Sequence, residues 1–187
     1  MTHTFPKQLE TERLILRVAT EADAVEINTA AKETLPMLQP YLPWAYPAPT
    51  VEDTQKYIQH CQERAKKGTY WNTFIYDKAT GEFIGGCGFH DDITPATADI
   101  GYWCKKSAQG NGYITEAVNA LTNFAFESLN LKRITIQYIK ENTESMAVAK
   151  RLGFKVESQA PYAEYIPFTK KAHTLVTTVK FHPNLKK

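Results

Sequence analysis

The stretch DIGYWCKKSAQGNGYITEA, Asp99 to Ala117, runs from a strand into a loop holding Gly110 and Gly112 and then directly into a helix. Glycine permits close approach and positive φ, and the free N–H groups of a helix's first turn point at whatever lies in front of them. The join is therefore an anion site in outline, able to hold a pyrophosphate by backbone alone. Its residues are Gln109, Gly110, Asn111 and Gly112, followed by Tyr113, Ile114 and Thr115 of the first turn. Lys105 and Lys106 stand just upstream as a source of added charge. Taken alone, the GNG triplet reads equally well as an ordinary helix-capping loop. Two nucleotide motifs are excluded, because there is no GxGxxG and no Lys-Ser or Lys-Thr pair follows the glycines as a P-loop requires.

Downstream, an amphipathic helix carries Ile114, Ala117, Val118, Leu121, Ala125 and Phe126 on or near one face, and RITIQYI (133–139) follows as a strand. The β-α-β run from Thr97 to Ile139 needs a right-handed crossover, which lays its helix on a sheet face. A helix TESMAVAKRL (143–152) stopped by Gly153 and two strands, around Ala163 and over Leu175–Phe181, complete the chain. Upstream, Arg13–Val18 alternates as a half-buried strand, and Thr20 with Asp23 opens a helix. Prolines at 36, 40, 43, 47 and 49 forbid a continuous helix and leave Trp44 and Tyr46 on a constrained loop. Thr50 and Asp53 begin a second helix that closes near Gly68. Tyr70–Tyr76 and Glu82–Phe89 form a hairpin around DKATG. This order predicts a mixed α/β sheet of about seven strands with helices on both faces, in one domain over residues 1–187, without internal repeats.

The 187 residues, 43% of them apolar and 12% aromatic, suffice for a real core and exclude disorder as the main state. A formal net charge of +2, with no like-charge block, demands no nucleic-acid partner. The basic end with Lys180, Lys186 and Lys187 reads as a solvated tail. Cys61, Cys87 and Cys104 have no paired spacing, so neither a zinc site nor a disulfide framework is indicated and a reducing compartment fits. No apolar run approaches the roughly 20 residues that span a bilayer, and MTHTFPKQLE lacks a signal-peptide pattern. The expectation is a cytoplasmic protein with no membrane partner and no metal.

The QGNG loop resembles the acetyl-CoA motif Q/R-x-x-G-x-G/A of the GNAT acetyltransferases, with Ile114 departing at the last position. Within GNAT the chain is most similar to the ribosomal-protein N-terminal acetyltransferase branch, the RimJ/RimL type. LETERLILRVATEADA, IGYWCKKSAQGNGYITEA and ENTESMAVAKRLGF carry that similarity, in order and over nearly the whole chain. The resemblance implies the GNAT fold, a mostly antiparallel sheet splayed at its central strand, with acetyl-CoA as co-substrate. It assigns the backbone of Tyr102, Trp103 and Cys104 to the pantetheine arm and predicts a bulge near Gly101 that opens the groove. It gives Asn142 the orientation of the cofactor and Ser145, one turn on, donation to the coenzyme A sulfur. Many GNAT enzymes use a tyrosine later on that helix, where this chain has Ala149. Read without the family, Ser145 is a solvent-facing or back-bonded helix serine.

Glu164 resembles the glutamate this branch places near the incoming amine, and it reads equally as a surface carboxylate on an alternating strand. Glu116, Asp99 and the His90, Asp91, Asp92 cluster are the other acid-base candidates, each with a structural reading favoured. An α-amino group has a reference pKa near 7.7 to 8.0 against about 10.4 for lysine, so deprotonating lysine costs roughly 3.5 kcal/mol more. With no unmistakable strong base, the sequence favours a protein N-terminus or another low-pKa amine, and the resemblance to the RimJ/RimL branch implies a ribosomal protein as the partner. Trp44, Tyr46, Trp71, Tyr162 and Tyr165 are candidates for lining an acceptor groove. A small-molecule amine acceptor (polyamine or antibiotic) and a non-catalytic acyl-CoA sensor remain as alternatives, and the protein is expected as a monomer or homodimer.

Overall fold

Strand alternation sorts the apolar residues onto two faces of one sheet. A computed structural model of the protein, describing residues 3–90 and 93–185, has eight strands in the order β1-β2-β3-β4-β5-β6-β8-β7. The strands are β1 (Gln8–Glu10), β2 (Leu14–Arg17), β3 (Asn72–Asp77), β4 (Phe83–Phe89), β5 (Thr97–Cys104), β6 (Arg133–Ile139), β7 (Lys155–Ile166) and β8 (Lys171–Phe181). The helices are α1 (Ala24–Leu38), α2 (Val51–Lys66), α3 (Tyr113–Glu127) and α4 (Thr143–Arg151). Neighbours run antiparallel except β5 and β6. The seven expected strands are present; β1, three residues long, is too short to show an alternation in sequence.

Helices cover both faces. On one, Ala24, Ile27 and Ala30 of α1 and Ile58 of α2 join Phe74, Tyr76 and Phe83 of the sheet. On the other, Ala117, Val118, Leu121 and Ala125 of α3 and Ala149 of α4 join Ile75, Cys87, Ile100 and Ile134. Truncating one such residue, as in Leu121→Ala, costs roughly 2–5 kcal/mol. Asp91, Asp92, Lys186 and Lys187 lie outside the described residues. Among the described residues no helix is long and apolar enough to cross a membrane.

The helix starts follow the sequence signatures. At α2 the Thr50 hydroxyl accepts from the Asp53 amide at 3.1 Å and the Asp53 carboxylate accepts from the Thr50 amide at 2.9 Å. Thr20 and Asp23 form the same box around a short 3-10 turn that leads into α1. The Arg17 guanidinium grips Asp23 through both oxygens and holds its carboxyl well below the usual range. The proline reading needs one correction: α1 runs through Pro36 and ends at Leu38. A proline in the last turn deletes one helical hydrogen bond without stopping the two residues beyond it. The Gln39 amide still reaches the Leu35 carbonyl at 2.9 Å.

The sheet opens where β5 meets β6. Only Thr97, Ala98 and Asp99 pair with Arg133, Ile134 and Thr135, and beyond that rung the strands diverge. The splay is present, but not by the expected means. β4 and β5 pair without a register shift from Phe89–Ile100 to Gly85–Cys104, so no bulge interrupts β5 at Gly101. Gly101 instead leaves room for His90, whose Nδ1 lies 2.9 Å from where a Cβ would stand.

Candidate active site

The divergence of β5 from β6 leaves a wedge, and a cavity of about 1980 Å³ runs through it. Its border includes Tyr102, Trp103 and Cys104 of β5, the loop and helix start from Gln109 to Thr115, Asn142 and Ser145 at the start of α4, and Glu164 of β7. These residues thus border one space.

At the glycine loop, Gly110 and Gly112 have φ of +81° and +77°. A Cβ on Gly110 would meet nothing within 4 Å, so backbone conformation rather than space demands glycine there. Gly112 is the N-cap of α3 and supplies no side-chain acceptor, which leaves the first-turn amides available to an anion. The loop is tied from behind. Arg13 Nη1 donates to the Asn111 carbonyl at 3.1 Å, and Asn111 Nδ2 donates to the carbonyls of Ala108 and Gln109, each at 3.2 Å. Glu116 accepts from the Thr11 hydroxyl (2.6 Å), the Arg13 amide (3.0 Å) and Arg13 Nε (2.7 Å). Burial works to raise the Glu116 carboxyl, but these donors outweigh it and hold it below its ordinary value. Glu116 is therefore a structural clasp between the N-terminal segment and α3.

Neither upstream lysine serves the cavity. Lys105 is paired with Glu82 at 2.6 Å, and Lys106 does not border the space. Arg151 does border it, beside the helix start, and its Nη1 donates to Thr115 Oγ1 at 2.9 Å.

At α4 the Asn142 side-chain oxygen accepts from the Ser145 amide at 3.0 Å, capping the helix, a contact worth about 1 kcal/mol. Ser145 is only 9% exposed, and its Oγ lies 2.8 Å from the Tyr102 hydroxyl, so it is neither solvent-facing nor bonded back onto its own helix. The Tyr102 side chain is a site feature that sequence reasoning missed. Burial raises its hydroxyl pKa, only partly offset by the bond to Ser145. Ala149 is buried in the core cluster. Cys104, beside the loop, is pushed up by burial to about 11 and stays a thiol at neutral pH.

Glu164 reaches the cavity by a break in β7. Ala160 pairs with Leu175 and Glu164 with His173, so residues 161–163 stand against the single residue Thr174. Tyr162, within that stretch, has a φ of +57°. Such an irregularity re-aims the residues after it. Glu164 is half-buried, and its side chain makes no hydrogen bond or ion pair among the described residues. Asp99 sits at the apex of the wedge and accepts from Thr135 Oγ1 at 2.5 Å. Of the aromatic candidates, Trp44 borders the cavity, tilted against Trp103 at 6.0 Å. Trp71 is fully buried and stacked on Phe5, and Tyr46, Tyr162 and Tyr165 do not border the space. An unforeseen polar wall joins them: the Tyr57 and Tyr70 hydroxyls lie 3.2 Å apart, and Asn72 Nδ2 donates to Tyr57 at 2.9 Å. Among the described residues no group of three or more His, Cys, Asp or Glu could hold a metal ion.

The chain is similar in fold to a solved RimL ribosomal L7/L12 alpha-N-protein acetyltransferase in complex with coenzyme A. The TM-score is 0.86 and the identity 25%, covering 93% of this chain and 97% of that one. Residues 13–155 match the acetyltransferase (GNAT) domain, and the chain belongs to the GNAT acetyltransferase family. Among curated relatives, the ribosomal-protein-serine acetyltransferase of Escherichia coli (strain K12) is 36% identical over 131 residues, 69% of this chain and 72% of that protein. The probable N-acetyltransferase YjcK of Bacillus subtilis (strain 168) is 35% identical over 113 residues, 59% of this chain and 62% of its own length. The chain therefore spans less than two thirds of the latter.

Proposed function

We propose that the protein transfers the acetyl group of acetyl-CoA to the α-amine of a protein N-terminus by direct attack, in the cytoplasm. The observation that carries this reading is the shared cavity: the residues of the helix start, Ser145 and Glu164 all border one wedge. The names of the E. coli and RimL relatives support a ribosomal protein as the partner.

Acetyl-CoA supplies an activated acyl carbon on a thioester. In this reading the amides from Gly110 to Thr115 hold its diphosphate, and the left-handed glycines let the backbone approach closely. The β6-facing backbone of Tyr102, Trp103 and Cys104 has no strand opposite it among the described residues and accepts the pantetheine arm as an added strand. Asn142 fixes the first turn of α4, which places Ser145 Oγ to donate to the departing sulfur. A thiolate with a reference pKa of about 8.5 leaves readily, so one hydroxyl donor suffices. Glu164 accepts the proton that the amine sheds. Cys104, the cysteine bordering the cavity, is held as a thiol and makes a poor acyl-accepting nucleophile, which supports direct transfer over a covalent intermediate.

Coenzyme A release against a panel of N-terminal peptides, lysine peptides and polyamines tests the acceptor. The N-terminal peptides are expected to react fastest near neutral pH; reaction with polyamines alone would remove the N-terminal reading.

A further inference from the structure

The Tyr102 hydroxyl lies 2.8 Å from Ser145 Oγ and 3.2 Å from the Ser145 carbonyl oxygen. It has one proton and two acceptors, both on the same residue. Because β5 and β6 part after Asp99, this contact crosses the open wedge from the wall of β5 to the first turn of α4. Ser145 also has one proton. If serine donates to the tyrosine oxygen, no proton remains for a sulfur in the cavity. If tyrosine donates to Oγ, the serine proton turns to the space that Ser145 borders. The shorter distance is the one to Oγ, and the carbonyl oxygen sits in a helix whose i+4 amide is its ordinary partner.

We infer that Tyr102 is a positioning residue for acyl transfer, its hydroxyl holding Ser145 Oγ as an acceptor so that the serine proton faces the leaving sulfur. The inference rests on the proposed donor role of Ser145. In the step, the bond from the acceptor nitrogen to the acyl carbon forms, the carbon–sulfur bond breaks, and its electron pair goes to sulfur. Sulfur is met by the serine hydroxyl, and its final proton balances the one the nitrogen gives up. Tyr102 keeps its own proton, which burial favours by raising the phenol pKa. Two hydroxyls in series polarise each other, so the terminal donor is stronger than serine alone.

The test uses coenzyme A itself, without an acceptor. The thiol pKa of bound coenzyme A is read from thiolate absorbance, with the desulfo-coenzyme A complex as blank, in wild type, Tyr102→Phe, Ser145→Ala and the double variant. Tyr102→Phe is expected to raise that pKa by about half a unit to one unit. In the Ser145→Ala background it is expected to add nothing, and calorimetry is expected to show coenzyme A affinity unchanged within about twofold. With the fastest amine of the panel, Tyr102→Phe should lower kcat about fivefold and leave the acetyl-CoA KM in place. Equal shifts in both backgrounds, no shift in either, or a loss of coenzyme A affinity would overturn the inference. A Ser145→Ala variant that leaves the thiol pKa untouched would instead remove the donor reading beneath it.

Discussion

At the donor end of the wedge nearly every polar group is tied down, whereas at the acceptor end the side chain of the candidate base has no partner among the described residues. Gly112 is backed by Arg13, Glu116 is gripped by Thr11 and Arg13, Arg151 bridges to Thr115, and Asn142 caps α4. Glu164 projects from an irregular edge strand, and exposed Trp44 lies on a proline-rich segment. A donor common to every turnover needs a preformed cradle. A base that must meet a changing amine cannot be locked into an ion pair, because neutralising it would remove its function.

The contrast predicts that donor-end and acceptor-end changes separate in their kinetics. The largest effect is expected from Ser145→Ala, which should lower kcat by about a hundredfold while calorimetric affinity for acetyl-CoA stays put. Equal loss of both would mean that α4 was disturbed rather than the chemistry. Glu164→Gln is expected to cut kcat/KM for the acceptor by about tenfold at neutral pH, with coenzyme A affinity unchanged. The deficit should shrink as pH rises and the amine deprotonates unaided; a deficit independent of pH would rule out a base. Gly112→Val puts a β-branched residue at a φ of +77° and should weaken coenzyme A binding about tenfold or more, with kcat at saturation nearly intact.

The smallest effect concerns Glu116. Its folded-state pKa is depressed below the ordinary 4.5, so its stabilising contribution is present above that pH and is lost as pH falls through the folded value. Glu116→Gln should therefore lower Tm at pH 6 and make little difference once acid has protonated the wild-type carboxyl. An equal Tm deficit across that range would deny the clasp its charge.

The donor end was readable because its chemistry is local. Gln109 to Thr115 are contiguous, and glycine at positive φ followed by a helix start is written in neighbouring residues. The strands and capping boxes were legible for the same reason. The Tyr102–Ser145 contact joins residues 43 apart across the wedge, and only the alternation of Ala98, Ile100, Tyr102 and Cys104 hinted at which face Tyr102 takes. The absent bulge at Gly101 shows the limit of carrying over a usual cause: β5 and β6 diverge by ending their pairing at Asp99, which no single residue announces. Pro36 inside α1 was misjudged because the loss of one hydrogen bond near a helix end is bearable. Trp71 was misplaced because an aromatic in a strand looks alike whether it faces core or groove.

A crystal structure of the protein with coenzyme A tests the central claim most directly. The diphosphate is expected on the amides from Gly110 to Thr115, with the sulfur within hydrogen-bonding reach of Ser145 Oγ. Coenzyme A found outside the β5–β6 wedge, or excluded from the crystals at saturating concentration, would contradict it.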